Sequence, residues 1–231
     1  MPEFRIGLDL GQLSDHTVAI AVERALRETG HRRFDVFDNS WPEVEDVFYV
    51  RAIERWPLRT LFSRIIADVG RMASAPTFGG NVVLYYDRTG VGGFSATETI
   101  TDAWKRGDLP LARRPYGIST TAGEKGRTAG TRSKTELVDR LISLVTSGRL
   151  IVHPDTPGGR DLQAELEAFA PKITASGAVG YEAKEGHDDH VAALALAVHS
   201  THSHGLAPRW LEVINGERVL VTQRWKDRKT P

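Results

Sequence analysis

The sequence predicts an α/β domain: a mixed sheet that opens in antiparallel strands, continues in parallel ones, and carries helices on its faces. Three observations predict it. Three strand-like segments precede any helix. Residues 81–86 (NVVLYY) are apolar on both parities, the mark of a strand buried on both faces, and residues 58–72 and 133–148 carry apolar side chains at helical spacing.

The elements follow in order. Residues 4–10 read as a strand and 16–25 as a second, joined by the turn GQLSD into an antiparallel hairpin. Residues 46–54 (DVFYVRAIE) give a third. The helix over 58–72 presents Leu58, Leu61, Phe62, Ile65, Ile66 and Val69 inward. After the strand 81–86, a glycine-rich turn leads into a helix near 95–106, and 111–117 is a fifth strand. Residues 120–132, rich in Gly, Thr and basic side chains, read as a mobile loop. Ser133 and Glu136 then form a capping box; Leu137, Leu141, Leu144 and Val145 supply the helix face, and Gly148 ends it. A short strand over 150–152 precedes a helix over 161–169, with Leu162, Leu166 and Phe169 inward. Segments 172–174 and 179–182 flank Ser176-Gly177 as a hairpin, and a last helix runs from about 188 to 199. Beyond Pro208, residues 210–222 read as a hairpin turning at Asn215-Gly216, followed by a frayed basic tail. The expected division is a main domain over 1–205 and an appendage over 206–231.

A chain of 231 residues is long enough to bury a core without covalent staples. It has no cysteine, which excludes a disulfide framework, a thiolate zinc site and a cysteine nucleophile, and fits a reducing cytoplasm. The opening MPEFRIGLDLG lacks the pattern of a signal peptide and no run reaches membrane-spanning length, so a soluble intracellular protein without a membrane partner is expected. Thirty Lys and Arg balance thirty Asp and Glu. A domain that grips DNA unaided usually carries excess positive charge, so neutrality predicts weak binding unless a partner adds affinity.

Three acidic features stand out. Asp9 lies inside the first strand, on a face shared with Gly7 and Gly11, and the two glycines predict open space above it. A carboxylate buried there needs a metal, a cation or hydrogen-bond donors, and it either accepts bonds from the next turn or holds a ligand. Asp87 ends the buried strand and opens DRTGVGG; ligands in α/β sheets collect at the carboxyl ends of strands, although a helix cap is the plainer role. Asp188 and Asp189 stand directly before the small apolar helix VAALALAV. One of the pair serves naturally as a cap, two less so. Helical projection turns Asp188 toward the sheet with Val191, Ala195 and Val198, and Asp189 sideways. Together these acids form an all-oxygen set suited to hard divalent cations, and two such ions can drive phosphodiester cleavage.

Gly7-Leu8-Asp9-Leu10-Gly11 with Asp15-His16-Thr17, then Tyr86-Asp87-Arg88-Thr89-Gly90, then Gly186-His187-Asp188-Asp189-His190 with its small-residue helix resemble the nuclease domain of tailed-phage terminase large subunits. Ser133-Lys134-Thr135-Glu136-Leu137 with Gly148-Arg149-Leu150, and Lys172 to Gly177, resemble further stretches of it. The resemblance spans about residues 4–200. It implies a ribonuclease H-like fold, two bound Mg²⁺ or Mn²⁺ ions, and endonucleolytic cutting of concatemeric viral double-stranded DNA during packaging, in a host bacterial cytoplasm. It also implies Asp9, Asp87 and Asp188 as catalytic metal ligands, with Asp189 as a fourth. A packaging ATPase, a small terminase subunit and a portal are the partners it implies. The sequence departs from the family in lacking a phosphate-binding loop of the Gly-x-x-x-x-Gly-Lys type, so ATP-driven translocation is not assigned to it. The expected identity is an excised nuclease domain, a split subunit, or a relative put to another use.

Arg132 and Lys134, with Lys125 and Arg127, line the basic loop and are candidates for phosphate contact, as is Lys184 before the acidic pair; solvated loop positions are the alternative. His187 and His190 read as local caps, and the five tryptophans as structural. Two other functions fit parts of the pattern. A Holliday-junction resolvase or repair nuclease would share the fold. A nucleotide-binding module of the actin and sugar-kinase type would share Asp9-Leu10-Gly11 but has no need of Asp188-Asp189. A catalytically silent DNA-binding or assembly module is a third alternative.

Overall fold

Period-two burial decides how the central strands sit. The computed structural model describes residues 3–11, 15–34, 40–89, 93–121, 131–153, 155–173, 179–183, 188–199, 210–214 and 217–221. Strand β1 (Glu3–Asp9) sends Phe4, Ile6 and Leu8 into one apolar cluster and leaves Arg5, Gly7 and Asp9 on the opposite face. Strand β4 (Val82–Asp87) is buried on both faces: Val82, Leu84 and Tyr86 join the first cluster, Val83 and Tyr85 the second. Helices α1 (Phe62–Ala73) and α2 (Gly93–Arg106) cover the first face. Helices α3 (Lys134–Thr146), α4 (Gly159–Ala168) and α5 (Asp189–Val198) cover the second. The result is three layers, helix on sheet on helix.

The remaining strands of this sheet are β2 (Thr17–Phe34), β3 (Ser40–Trp56), β5 (Tyr116–Thr121), β6 (Thr131–Ser133) and β7 (Leu150–Val152), in the order β6-β5-β4-β1-β2-β3-β7. Strands β1, β2 and β3 pair antiparallel, whereas β1–β4, β4–β5, β5–β6 and β3–β7 are parallel. The carboxyl ends of β1, β4, β5 and β6 therefore share one edge of the sheet. Strands β8 (Phe169–Ile173) and β9 (Val179–Ala183) form an antiparallel pair. The chain divides into two compact units, Met1–His199 and Ser200–Pro231. The second contains the antiparallel pair β10 (Trp210–Ile214) and β11 (Glu217–Val221).

Several bounds differ from those expected of the sequence, each for a local reason. Strands β2 and β3 run 18 and 17 residues. Their outer halves are mostly charged and carry no regular apolar alternation, and cross-strand ion pairs join them: Arg24–Asp46 at 2.8 Å, Arg27–Glu45 at 2.7 Å and Arg33–Glu43 at 2.7 Å. A register shift between Glu28 and Arg32 contains Gly30 at φ 82°. Strand β5 starts at Tyr116 rather than at 111, because Pro110 and Pro115 have no N–H for a ladder. Helix α1 starts at Phe62, after a turn in which Thr60 N–H bonds to the Pro57 carbonyl at 3.2 Å, so Leu58 and Leu61 stay out of the core at 43% and 74% exposure.

Helix α3 is capped as expected. Ser133 Oγ accepts the Glu136 N–H at 2.9 Å, and Gly148 closes the far end at φ 63°. Its buried stripe is Leu137, Val138, Leu141 and Leu144; Val145, expected inward, is 44% exposed. Of the stretch expected as a loop over 120–132, Thr120 and Thr121 belong to β5 and Thr131 and Arg132 to β6. Residues 122–130, with Lys125 and Arg127, lie outside the described residues, as do the turns expected at Ser176-Gly177 and Asn215-Gly216.

Candidate metal centre

The site begins with how closely α5 lies on β1. A Cβ built on Gly7 would stand 1.9 Å from the Ala193 carbonyl oxygen and 2.6 Å from the Ala197 nitrogen. Only glycine in the strand and alanine in the helix allow this approach. The expected opening above Asp9 is thus corrected on one side, since α5 backbone fills the space over Gly7. On the other side the Asp15 and His16 backbone closes over Gly11, where a Cβ would meet the Asp15 oxygen at 2.2 Å. What stays open is the cavity beyond Asp9, at the end of the strand.

Because α5 is pinned to Gly7, its head stands beside Asp9. The orientation expected for its two acids is reversed. Asp189 is buried, 4% exposed, and accepts the His16 backbone N–H at 3.3 Å; Asp188 is half-exposed. The reason is that Asp188 is the N-cap, at φ −113° and ψ 21°, so a helical projection does not extend back to it. Asp188 instead pairs with Lys134 Nζ at 2.6 Å. Glu165 of α4 grips the same helix start, accepting the His190 backbone N–H at 3.0 Å while its other oxygen meets His190 Nδ1 at 2.6 Å. No local pattern marks Glu165 in the sequence; its partner lies far along the chain.

Asp87 enters from the end of β4. One carboxylate oxygen accepts the Thr89 N–H at 2.7 Å and the Thr89 hydroxyl, and the other accepts Thr120 Oγ1 at 3.3 Å. The turn role and the site position therefore coexist at this residue. Asp9, Asp87, Asp188, Asp189, Lys134 and Thr120 line one cavity of about 320 Å³. Of the other basic candidates, Arg132 does not line it: its guanidinium bonds the Thr131 carbonyl at 2.9 Å and approaches Glu136 at 3.8 Å. Lys184 and His187 lie outside the described residues.

Protein crowds the Asp9 carboxylate from most sides although part of the residue opens on the cavity. This burial, followed by the negative charges of Asp87, Asp189 and Asp188, holds its pKa well above the usual carboxylate range, with Lys134 opposing. The set of donors fits a hard divalent cation: the carboxylates of Asp9, Asp15, Asp87, Asp188 and Asp189 and two threonine hydroxyls, with neither thiol nor imidazole in the lining. Among the described residues, no three acidic or imidazole side chains converge tightly enough to hold an ion as they stand. The hydrogen bonds explain this. Asp188 is drawn to Lys134, Asp189 to His16, and Asp87 to its threonines, so a cation has to gather acids that each already have a partner.

No family model matches the chain, and no curated protein does. Solved structures do match. The large terminase nuclease from thermophilic phage G20c with bound magnesium is 22% identical, with a TM-score of 0.53 over 85% of this chain and 80% of that one. The large terminase nuclease domain of Thermus phage P74-26 is 20% identical, with a TM-score of 0.52 over 85% and 78%. The chain has the fold of a large terminase nuclease domain. The human cytomegalovirus terminase nuclease domain, soaked in Mn, extends the likeness beyond phages, at 12% identity and a TM-score of 0.51 over 87% and 85%. The ribonuclease H-like terminase fold agrees with the observed topology, antiparallel β1–β2–β3 followed by parallel β4, β5 and β6.

Proposed function

We propose that this domain is a metal-dependent endonuclease that hydrolyses DNA phosphodiester bonds with two divalent cations held among Asp9, Asp87, Asp188 and Asp189. The meeting of these four aspartates, from two parallel strand ends and a helix head, carries the reading. Magnesium in the phage G20c nuclease and manganese in the cytomegalovirus domain support it. Paired cations of this kind, when bound, favour ionisation of a water and stabilise the leaving oxygen of an in-line displacement.

The chain's own residues do the positioning. Asp9 supplies a carboxylate at the end of β1, beside the head of α5. Thr89 and Thr120 fix the direction of Asp87. Glu165 and the Gly7–Ala193 contact hold the head of α5 so that Asp188 and Asp189 both line the cavity with Asp9. Lys134 sits on Asp188, and once that carboxylate is engaged elsewhere, its ammonium turns to a substrate phosphate. Arg132 and Lys184 extend the phosphate contacts. The substrate is duplex DNA, the nuclease occupies residues 1–205, and 206–231 form an appendage. Because the net charge is zero, tight engagement depends on partners such as a packaging ATPase, a small terminase subunit and a portal.

Purified protein should relax and then linearise supercoiled plasmid in Mn²⁺ or Mg²⁺ and stop on addition of a chelator. A folded protein that leaves plasmid intact in both metals, or that hydrolyses ATP by itself, would contradict the reading. A strong preference for branched over linear duplex would move the assignment to a junction resolvase.

A further inference from the structure

The acid-lined cavity is half of a longer groove. A second cavity, also about 320 Å³, shares Leu10, Gly11, Asp15, Asp87 and Thr89 with the first and runs toward the turn that joins β3 to α1. Its far wall is Leu58, Arg59 and Phe62. This wall differs from the acidic half in every respect. Leu58 is exposed where a core helix was expected, Arg59 is exposed, and among the described residues no carboxylate pairs with the guanidinium. Arg59 also holds φ 65°, the one non-glycine residue with positive φ among those described. That conformation is strained for any residue other than glycine. Among the described residues, this arginine contributes neither to the core nor to an ion pair, so an exposed guanidinium on a strained backbone at the groove wall points to a ligand.

We infer that this second half is a nucleotide subsite for the DNA strand being cut, in which Arg59 binds a phosphate neighbouring the scissile one and Leu58 and Phe62 receive the attached sugar and base. The inference rests on the nuclease reading above and deepens it. A strand laid along the groove meets Lys134 at one end, the four acids in the middle and Arg59 at the other end. Phosphates thus find a cation on either side of the acidic centre, which itself accepts a phosphate only with metal present. The apolar wall suits the faces of a deoxyribose and a base, which are sequence-independent contacts.

Arg59→Gly tests this, because glycine removes the guanidinium and relaxes the backbone together. Binding of a fluorescent linear duplex is followed by anisotropy over a range of salt, with Ca²⁺ in place of Mn²⁺, alongside melting temperature and plasmid cleavage in Mn²⁺. The variant should melt at or above the wild-type temperature and keep its Mn²⁺-induced melting shift. Its log–log salt slope for DNA binding should fall by about 0.9, one phosphate contact. KM for cleavage should rise while kcat stays within about twofold, and Arg59→Lys should recover most of the slope. A wild-type protein that cleaves DNA, with slope and KM unmoved by Arg59→Gly, overturns the subsite and leaves the nuclease intact. Arg59-dependent binding without any cleavage overturns the nuclease and keeps the groove. No DNA binding by wild type overturns both.

Discussion

At the scale of single residues, Asp9 carries the largest electrostatic burden. Its folded-state pKa lies above the unfolded value, so the folded metal-free protein binds more protons than the unfolded chain. The stability this contributes is fully present below the unfolded pKa and is lost as pH rises through the folded one. Asp9→Asn keeps the shape and removes the charge. The variant should therefore be at least as stable as wild type at neutral pH without metal, show a flatter dependence of melting temperature on pH, and have no cleavage activity. A variant that melts lower than wild type at neutral pH would mean that the Asp9 charge is satisfied inside the protein and needs no cation. The adjacent acids divide differently. Asp189 is buried and anchors the His16 N–H, so Asp189→Ala should cost about 1–3 kcal/mol in urea unfolding as well as activity. Asp188→Asn should spare stability to within about 1 kcal/mol, because the ion pair to exposed Lys134 contributes little. That these acids belong near one another was legible from where they stand: a strand interior, a strand end and a helix head. Which of Asp188 and Asp189 is buried was not, because that depends on the φ and ψ of one capping residue.

At the scale of elements, the contact of α5 with β1 joins fold to site. Gly7→Ala places a methyl carbon where the Ala193 carbonyl stands, and the helix has to move off the strand. The cost should reach about 3 kcal/mol in chemical denaturation, and the residual folded protein should have lost its response to Mn²⁺. A neutral substitution would show that α5 is not held there. The other end of α5 has its own pH response. Burial, and then the nearby cations Arg5, Arg132 and Arg140, lower the His199 pKa to about 4 against the bond from its ring to the Leu196 carbonyl. The folded state then binds fewer protons than the unfolded state between pH 6.5 and about 4. Stability from this group is complete above the unfolded pKa and falls by as much as about 3 kcal/mol as pH drops through that window. His199→Gln should remove that slope from the melting curve between those pH values. The small-residue helix VAALALAV announced close packing in the sequence, and Gly7 announced its partner. The clamp from Glu165 could not be read there, since a carboxylate on an amphipathic helix looks the same whether it faces water or the start of another helix.

At the scale of the whole molecule, the topology was legible because the central strands are buried on one or both faces and leave that pattern in the sequence. The outer arm of β2 and β3 was not, since charge pairs across a two-stranded ladder replace apolar alternation with a polar run resembling a loop. The inward start of α1 also misled, as Leu58 and Leu61 fit a helical stripe yet face the groove and solvent. A neutral chain should bind DNA with a steep loss of affinity as salt rises, because phosphate contacts displace counterions and no surplus of charge supports them. The gathering of the four acids by divalent cations is tested most directly by melting the wild-type protein and its Asp9→Asn, Asp87→Asn and Asp188→Asn variants with and without Mn²⁺. Binding to the native state alone raises the melting temperature, so wild type should gain several degrees on adding metal and each variant should gain much less while folding normally without it. Equal Mn²⁺ shifts in all four proteins, with the variants already destabilised in its absence, would show these aspartates to be caps and turn anchors and would contradict the metal centre.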